Sequence, residues 1–238
     1  MRIFKSFLLY TLAIILIVIL TIAIYLIIVA LQGMLFVPED YMMWIFKYPA
    51  SRFVLVYEIL LIISFFYMLN RRAKKSAHQE PFPVKNSWRQ RNKKRLYITF
   101  IMINIVLFYM ILTSVTVLTN TKIIDYSYLA PQGKEYSYND IVEIQTGVYG
   151  DQFYPPFTHS KGDFFYIIEL VDGSKIDLTE IGGVKDIQHE YFIIVELDTK
   201  LVNRNVPKVA SMDNFHYSTD HLDQKYTDQI RKIIENTN

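Results

Sequence analysis

At 238 residues and 52% hydrophobic side chains, the chain is more apolar than an ordinary soluble domain of its size, and its net charge of +2 conceals two unlike halves. Residues 1–118 carry 14 bases and four acids, whereas residues 119–238 carry 11 bases and 19 acids. The absence of cysteine excludes disulfide frameworks, thiolate nucleophiles and Cys-ligated zinc.

Three stretches are nearly free of charge: 6–38 has none, 53–70 has only Glu58, and 96–121 has none. A helix needs roughly 20 apolar residues to cross the hydrocarbon core. Lipid cannot hydrate an unpaired peptide group, so each run is expected to be helical despite its β-branched content. The expectation is three transmembrane helices, over about 7–31, 53–70 and 96–118. The first is read as retained, because FLLYTLAIILIVILTIAIYLIIVAL outlasts a signal-peptide core and no small-x-small cleavage site follows.

Basic residues in short loops stay on the cytoplasmic side. The loop 70–95 holds Arg71, Arg72, Lys74, Lys75, Lys85, Arg89, Arg91, Lys93, Lys94 and Arg95 against the lone acid Glu80. Arg2 and Lys5 sit before the first run, and between the first two runs Lys47 and Arg52 are offset by Glu39 and Asp40. This pattern places the N-terminus and the basic loop in the cytoplasm and the acidic C-terminal half outside. The basic loop then orients the chain and meets anionic lipid, worth about 1 kcal/mol per cation. Nucleic acid is set aside as its partner, because Trp88 is the one aromatic residue with a stacking-sized indole there and no recognition fold accompanies it.

Between the first two helices, Pro38-Glu39-Asp40 has the form of a helix start. Tyr41, Trp44, Phe46 and Tyr48 follow as an aromatic set of the kind found at membrane interfaces, so a short interfacial helix is expected. Glu58 and Asn104 are the candidate intramembrane polar residues. Packing and ion pairing, with Arg52 or Lys47 near Glu58, compete there with a role in a transport pathway.

After Thr119 the pattern becomes that of a small sheet domain, joined by the short linker Thr119-Asn120-Thr121. Ile124, Tyr126 and Tyr128 alternate with polar residues, Pro131-Gln132-Gly133-Lys134 marks a turn, and IVEIQTGV alternates again. FFYIIELV and KIDL flank Asp172-Gly173, a strong hairpin signal. Ile187, Tyr191, Ile194, Leu201 and Val202 share a helical face with Asp186 as a start, although YFIIV also has strand character. Leu222, Tyr226, Ile230 and Ile233 form a terminal amphipathic helix.

KEYSYNDIVEI, FFYIIELVDGSKIDL and VELDTKLVNRNVPK together resemble the bacterial pleckstrin-homology-like (PH-like) domains of small membrane proteins, over about residues 122–207. The resemblance implies a binding or assembly domain with no catalytic residues. Two departures accompany it, an insertion near 149–163 and a tail after Pro207. That insertion, VYGDQFYPPFTHSKGD, is the candidate binding loop, with Tyr149, Phe153, Tyr154, Phe157 and His159. Its aromatics are too many for regular strand packing, so core contact, membrane contact and partner binding all stay open.

Asp213, His216, Asp220 and His221 form a His/Asp set that could hold a metal, but Asp220 and Asp223 also suit a helix start, and none is taken as a metal site. No phosphate-binding, zinc-protease or nucleophile-elbow motif occurs. The expectation is a non-enzymatic, multi-pass bacterial plasma-membrane protein without a cofactor. Its outer PH-like domain would bind or scaffold a protein partner, a ligand or another copy of the chain. The alternative is a transporter or channel subunit using Glu58 and Asn104.

Overall fold

The computed structural model describes residues 2–47, 56–60, 62–63, 92–152, 159–185, 189–220 and 222–237. It divides into two compact units, one of Met1–Met34 with Pro49–Thr113, the other of Leu35–Tyr48 with Ser114–Asn238.

The first unit is helical. Helix α1 (Arg2–Phe36) has 35 residues, and α2 (Lys93–Leu112) has 20. Residues 56–60 and 62–63 are also helical, while the rest of the expected second helix and loop residues 71–91 lie outside the described residues. Within α1 and α2, Ile15–Phe36 and Arg95–Leu112 are long and apolar enough to cross a membrane. Only 11% and 6% of their most apolar windows are buried, unlike the core helix of a soluble protein. Tyr57 and Phe108 pack with ring centroids 6.2 Å apart, and Gln32 Nε2 donates to the Ile111 carbonyl at 3.0 Å. Helix α2 ends where the Thr113 amide and hydroxyl both reach the Tyr109 carbonyl, at 3.0 and 2.9 Å.

The second unit contains two sheets. Strands β1 (Tyr41–Phe46), β2 (Val115–Thr119), β3 (Lys122–Asp125), β4 (Lys134–Ser137) and β8 (Ile181–Val184) form an antiparallel sheet in the order β4-β3-β2-β1-β8. The other sheet has the order β7-β6-β5-β9. Its strands are β5 (Ile141–Val148), β6 (Phe164–Leu170), β7 (Lys175–Asp177) and β9 (Lys208–Ala210), with β9 parallel to β5 and the other pairs antiparallel. A 3-10 turn (Tyr138–Asp140) links the sheets, closed by a capping box between Ser137 and Asp140. Helices α3 (Glu190–Val202), α4 (Phe215–Ser218) and α5 (Gln224–Glu235) complete the unit.

Strand β6 shows the expected alternation, burying Phe164, Tyr166, Ile168 and Leu170 while Phe165, Ile167 and Glu169 face outward. The Asp172-Gly173 hairpin forms as expected, with the Gly173 amide on the Leu170 carbonyl at 2.8 Å. Residues 190–197 are helical. Ile193, Ile194, Leu197 and Leu201 are all buried along α3, a spacing that a strand would split between two faces. The 187 and 186 positions lie outside the described residues. Helix α5 buries Ile230, Ile233 and Ile234.

Three local expectations are corrected. Residues 41–46 are not an interfacial helix but the strand β1, paired on one side with β2 and on the other with β8. Met43, Trp44 and Ile45 are buried in succession, as befits a strand covered on both faces. Gly182 and Gly183 in β8 make room for the indole: a Cβ at Gly182 would lie 2.2 Å from Trp44 Cζ3. The third apolar run is not helical to residue 118. Its end, Val115–Thr119, is β2, and every residue of it is buried. Thr119-Asn120-Thr121 is therefore the β2–β3 turn and not an interdomain linker, with the Thr119 hydroxyl accepting from the Thr121 and Lys122 amides.

Candidate functional site

The outer face of the β5–β6 pair assembles a mixed aromatic and polar patch. Phe165 lies opposite Gly147 in the strand register, where the missing side chain leaves room for its ring. Tyr149 packs against Phe165 at 4.8 Å and stacks on His159 at 4.1 Å with the planes 15° apart. All three are half-buried. The ends of the candidate loop are zipped by the Tyr149 amide on the Asp163 carbonyl and the Gly162 amide on the Tyr149 carbonyl, both 2.9 Å. Asp163 also accepts from the Ser160 amide at 2.7 Å. Two of the five predicted residues, Tyr149 and His159, are thus brought together, while Phe153, Tyr154 and Phe157 lie outside the described residues.

The loop ends also engage the segment after β9. Asn214 Nδ2 donates to the Val148 carbonyl at 3.2 Å, and Lys161 Nζ lies 3.9 Å over the Tyr217 ring. His216 packs on Tyr217 at 3.9 Å. Asp213 and Asp220 are exposed, and His221 lies outside the described residues. Among the described residues no three His, Asp or Glu side chains converge to hold a metal ion.

Asp177, at the end of β7, joins this region and escaped sequence reasoning. Burial raises its carboxyl above the ordinary range, an effect partly opposed by hydrogen bonds from the Thr179 amide and hydroxyl and by His159. In the string KIDL, Asp177 reads only as the polar member of an alternating strand, and no local signal distinguishes it.

Beneath this face the unit buries an ion pair. Lys208 Nζ contacts Asp198 Oδ1 at 2.5 Å, with both side chains 1% exposed. The remaining donors of the ammonium reach the Ile233 and Asn236 carbonyls at 2.5 and 2.9 Å. Asp198 also accepts from the Tyr166 hydroxyl at 2.9 Å and from Asn236 Nδ2 at 2.7 Å. Burial lowers the Lys208 pKa, with Asp198 opposing the shift, while burial and then Asp198 push the Tyr166 phenol well up. Every donor of the ammonium is occupied, so the network fastens β6, α3, β9 and the end of α5 as a charged lock. It is a structural group and not an open site.

At the start of α3, His189 packs against Tyr226 at 4.0 Å and Tyr191 at 4.8 Å. Its Nδ1 lies 3.2 Å from Glu190 Oε2 but outside hydrogen-bond geometry. Burial pushes the Tyr191 phenol up to about 12. A small pocket is lined by Met42, Asn120, Tyr138, Leu197, Lys200, Leu201 and Arg204. The Tyr138 hydroxyl does not open into it as a free donor, because it donates to the Thr119 carbonyl at 2.6 Å.

The predicted interfacial aromatics separate. Trp44 is 5% exposed inside the sheet, with Phe46 edge-on at 5.3 Å, whereas Tyr41 is half-buried and Tyr48 lies outside the described residues. In the helical unit, Glu58 accepts a hydrogen bond from the Thr21 hydroxyl. Asn104 Nδ2 donates to the Phe100 carbonyl of its own helix at 2.7 Å, and its buried Oδ1 has no partner among the described residues. Of the basic-loop residues, Lys93, Lys94 and Arg95 fall in the first turn of α2, and Arg95 is exposed.

No family model matches this chain, and neither the curated proteins nor the solved structures contain a match to it.

Proposed function

We propose that this protein is a non-enzymatic, multi-pass component of a bacterial plasma membrane, and that its sheet unit is an extracytoplasmic PH-like domain that binds or scaffolds a protein partner. The observation that carries the reading is the half-exposed face of Tyr149, His159 and Phe165, in a chain with two uncovered helices of membrane-spanning length among its described residues. Two largely antiparallel sheets with helices after them support the PH-like resemblance. The basic loop 70–95 supports the orientation.

The test is site-specific photocrosslinking in cells from position 165, with position 228 on α5 as the control. A defined adduct from Phe165 that disappears with Tyr149→Ala is expected, and equal crosslinking from both positions sinks the assignment. A C-terminal reporter active in the cytoplasm would reverse the orientation.

The second reading, a transporter or channel subunit, is favoured by the Thr21–Glu58 hydrogen bond and the bare Asn104 oxygen. Under the binding reading, Glu58→Gln inserts normally and keeps the Phe165 adduct. Loss of an ion or solute flux with normal insertion supports the transporter.

A further inference from the structure

The connection between β3 and β4 presents apolar side chains where a soluble loop would present polar ones. Ser127 and Ala130 bond reciprocally through their backbones, at 3.2 and 3.1 Å, which leaves Tyr128 and Leu129 as the two corner residues of a closed turn. The Ser127 hydroxyl accepts from the Ala130 amide as well, at 3.2 Å, and the Gly133 amide on the Ala130 carbonyl, at 3.1 Å, closes the loop behind it. Gly133 has φ +82, and a Cβ there would lie 2.7 Å from Ile124 Cγ2. The tip is therefore held in one conformation, with Leu129 79% exposed and Tyr128 48% exposed.

What lies beside the loop identifies its surroundings. Tyr126, at its base, packs on Phe36 with ring centroids 5.0 Å apart. Phe36 is the last residue of α1 and of the apolar stretch Ile15–Phe36, and its neighbour Leu35 is 61% exposed. Three ion pairs lie around the loop's base: Lys122 with Glu135 at 2.5 Å, Lys134 with Asp172 at 2.7 Å, and Lys47 with Asp125 at 2.5 Å. A rigid Tyr-Leu tip, continuous through Tyr126 with the end of an apolar helix and flanked by paired charges, has the chemistry of an interfacial anchor.

We infer that the β3–β4 turn inserts Tyr128 and Leu129 into the headgroup–acyl boundary of the lipid bilayer. This rests on the membrane reading of α1. It gives the sheet unit a lipid contact of its own, separate from the Tyr149 face.

Because the chain has no cysteine, a single introduced cysteine labels one place only. The full chain carrying Leu129→Cys, Ile22→Cys or Asp228→Cys is labelled with an environment-sensitive fluorophore. Each variant is reconstituted into phosphatidylethanolamine–phosphatidylglycerol vesicles with and without lipids bearing an acyl-chain quencher. The expected result is blue-shifted emission at 129 and 22, quenched several-fold more than at 228. Quenching at 22 but not at 129 overturns the lipid contact and leaves the membrane reading standing. No quenching at 22 removes the membrane reading and the inference with it. A blue shift at 129 without quenching assigns the tip to a protein surface and overturns the inference.

Discussion

The buried ion pair of the sheet unit and the buried amides of the helical unit are satisfied to different degrees. In the sheet unit, Lys208 and Asp198 are a charged pair whose hydrogen bonds are completed by Tyr166, Asn236 and the Ile233 carbonyl. In the helical unit, Gln32 and Asn104 each use the amide nitrogen on a backbone carbonyl, and neither buried oxygen has a partner among the described residues. A charge removed from water needs every partner, because its desolvation costs several kcal/mol. A neutral amide among helices is worth far less, because it also finds hydrogen-bond partners when the helices are not packed together. The lock in the sheet unit is therefore expected to be sensitive to single changes and the helix amides tolerant of them.

The largest effect tests the lock. Asp198→Ala leaves the Lys208 ammonium buried without its counter-ion and is expected to destabilise the sheet unit by about 3–5 kcal/mol. Chemical denaturation of the detergent-solubilised full chain, followed by near-UV circular dichroism, measures this. The double variant Asp198→Leu with Lys208→Met recovers most of the loss. If it is as unstable as the single variant, the lock depends on shape and not on charge.

Next comes packing within the same unit. Gly182→Ala drives a methyl group into the Trp44 ring and is expected to cost about 1–3 kcal/mol, read in the same denaturation experiment. An unchanged midpoint would mean that β8 shifts freely and that the unit's rigidity does not extend to this edge of the sheet.

A pH series isolates Asp177. Burial raises the folded-state pKa of Asp177, so the folded protein binds its proton more tightly than the unfolded chain. Its contribution is full below the unfolded carboxylate value, near 3.9, and falls as pH rises through the raised folded value. Asp177→Asn is expected to flatten that part of the stability–pH curve. An unchanged slope would show that Asp177 is not the group responsible. Asp172 has the opposite sign, since Lys134, Ser174 and Tyr136 hold its carboxyl well below the usual range and any contribution disappears only in strong acid.

The smallest effect belongs to the helices. Gln32→Leu removes the bond to the Ile111 carbonyl together with the bare oxygen, and is expected to change stability by about 0.6 kcal/mol or less. A loss as large as that of Asp198→Ala would end the contrast between the units.

Much of the sheet unit was legible locally. IVEIQTGV and FFYIIEL became β5 and β6 because a half-buried strand writes its two faces into alternate residues, and Asp172-Gly173 marked their neighbouring hairpin. The Ile230–Ile233 face of α5 was legible for the same reason at helical period. The strands β1 and β2 were not. Both are central strands covered on two faces, so YMMWIF and VTVLT show no alternation, and VTVLT continues the apolar run of α2 without a break. The candidate site was legible in Tyr149 and His159 through their odd composition, while Asp177 and Phe165 had only ordinary strand contexts.

Composition, the charge-free runs and short-range periodicity belong to the sequence alone, because they depend on neighbours within a few turns or strand residues. They determine the apolar helices, the asymmetric charge and the β5–β7 and α5 elements. The tertiary structure alone decides that Trp44 lies over Gly182 and Gly183, that Lys208 meets Asp198, and that Tyr126 packs on Phe36. These contacts join segments distant in the chain, and their worth comes from burial and complete hydrogen bonding, which exist only once the sheets have closed.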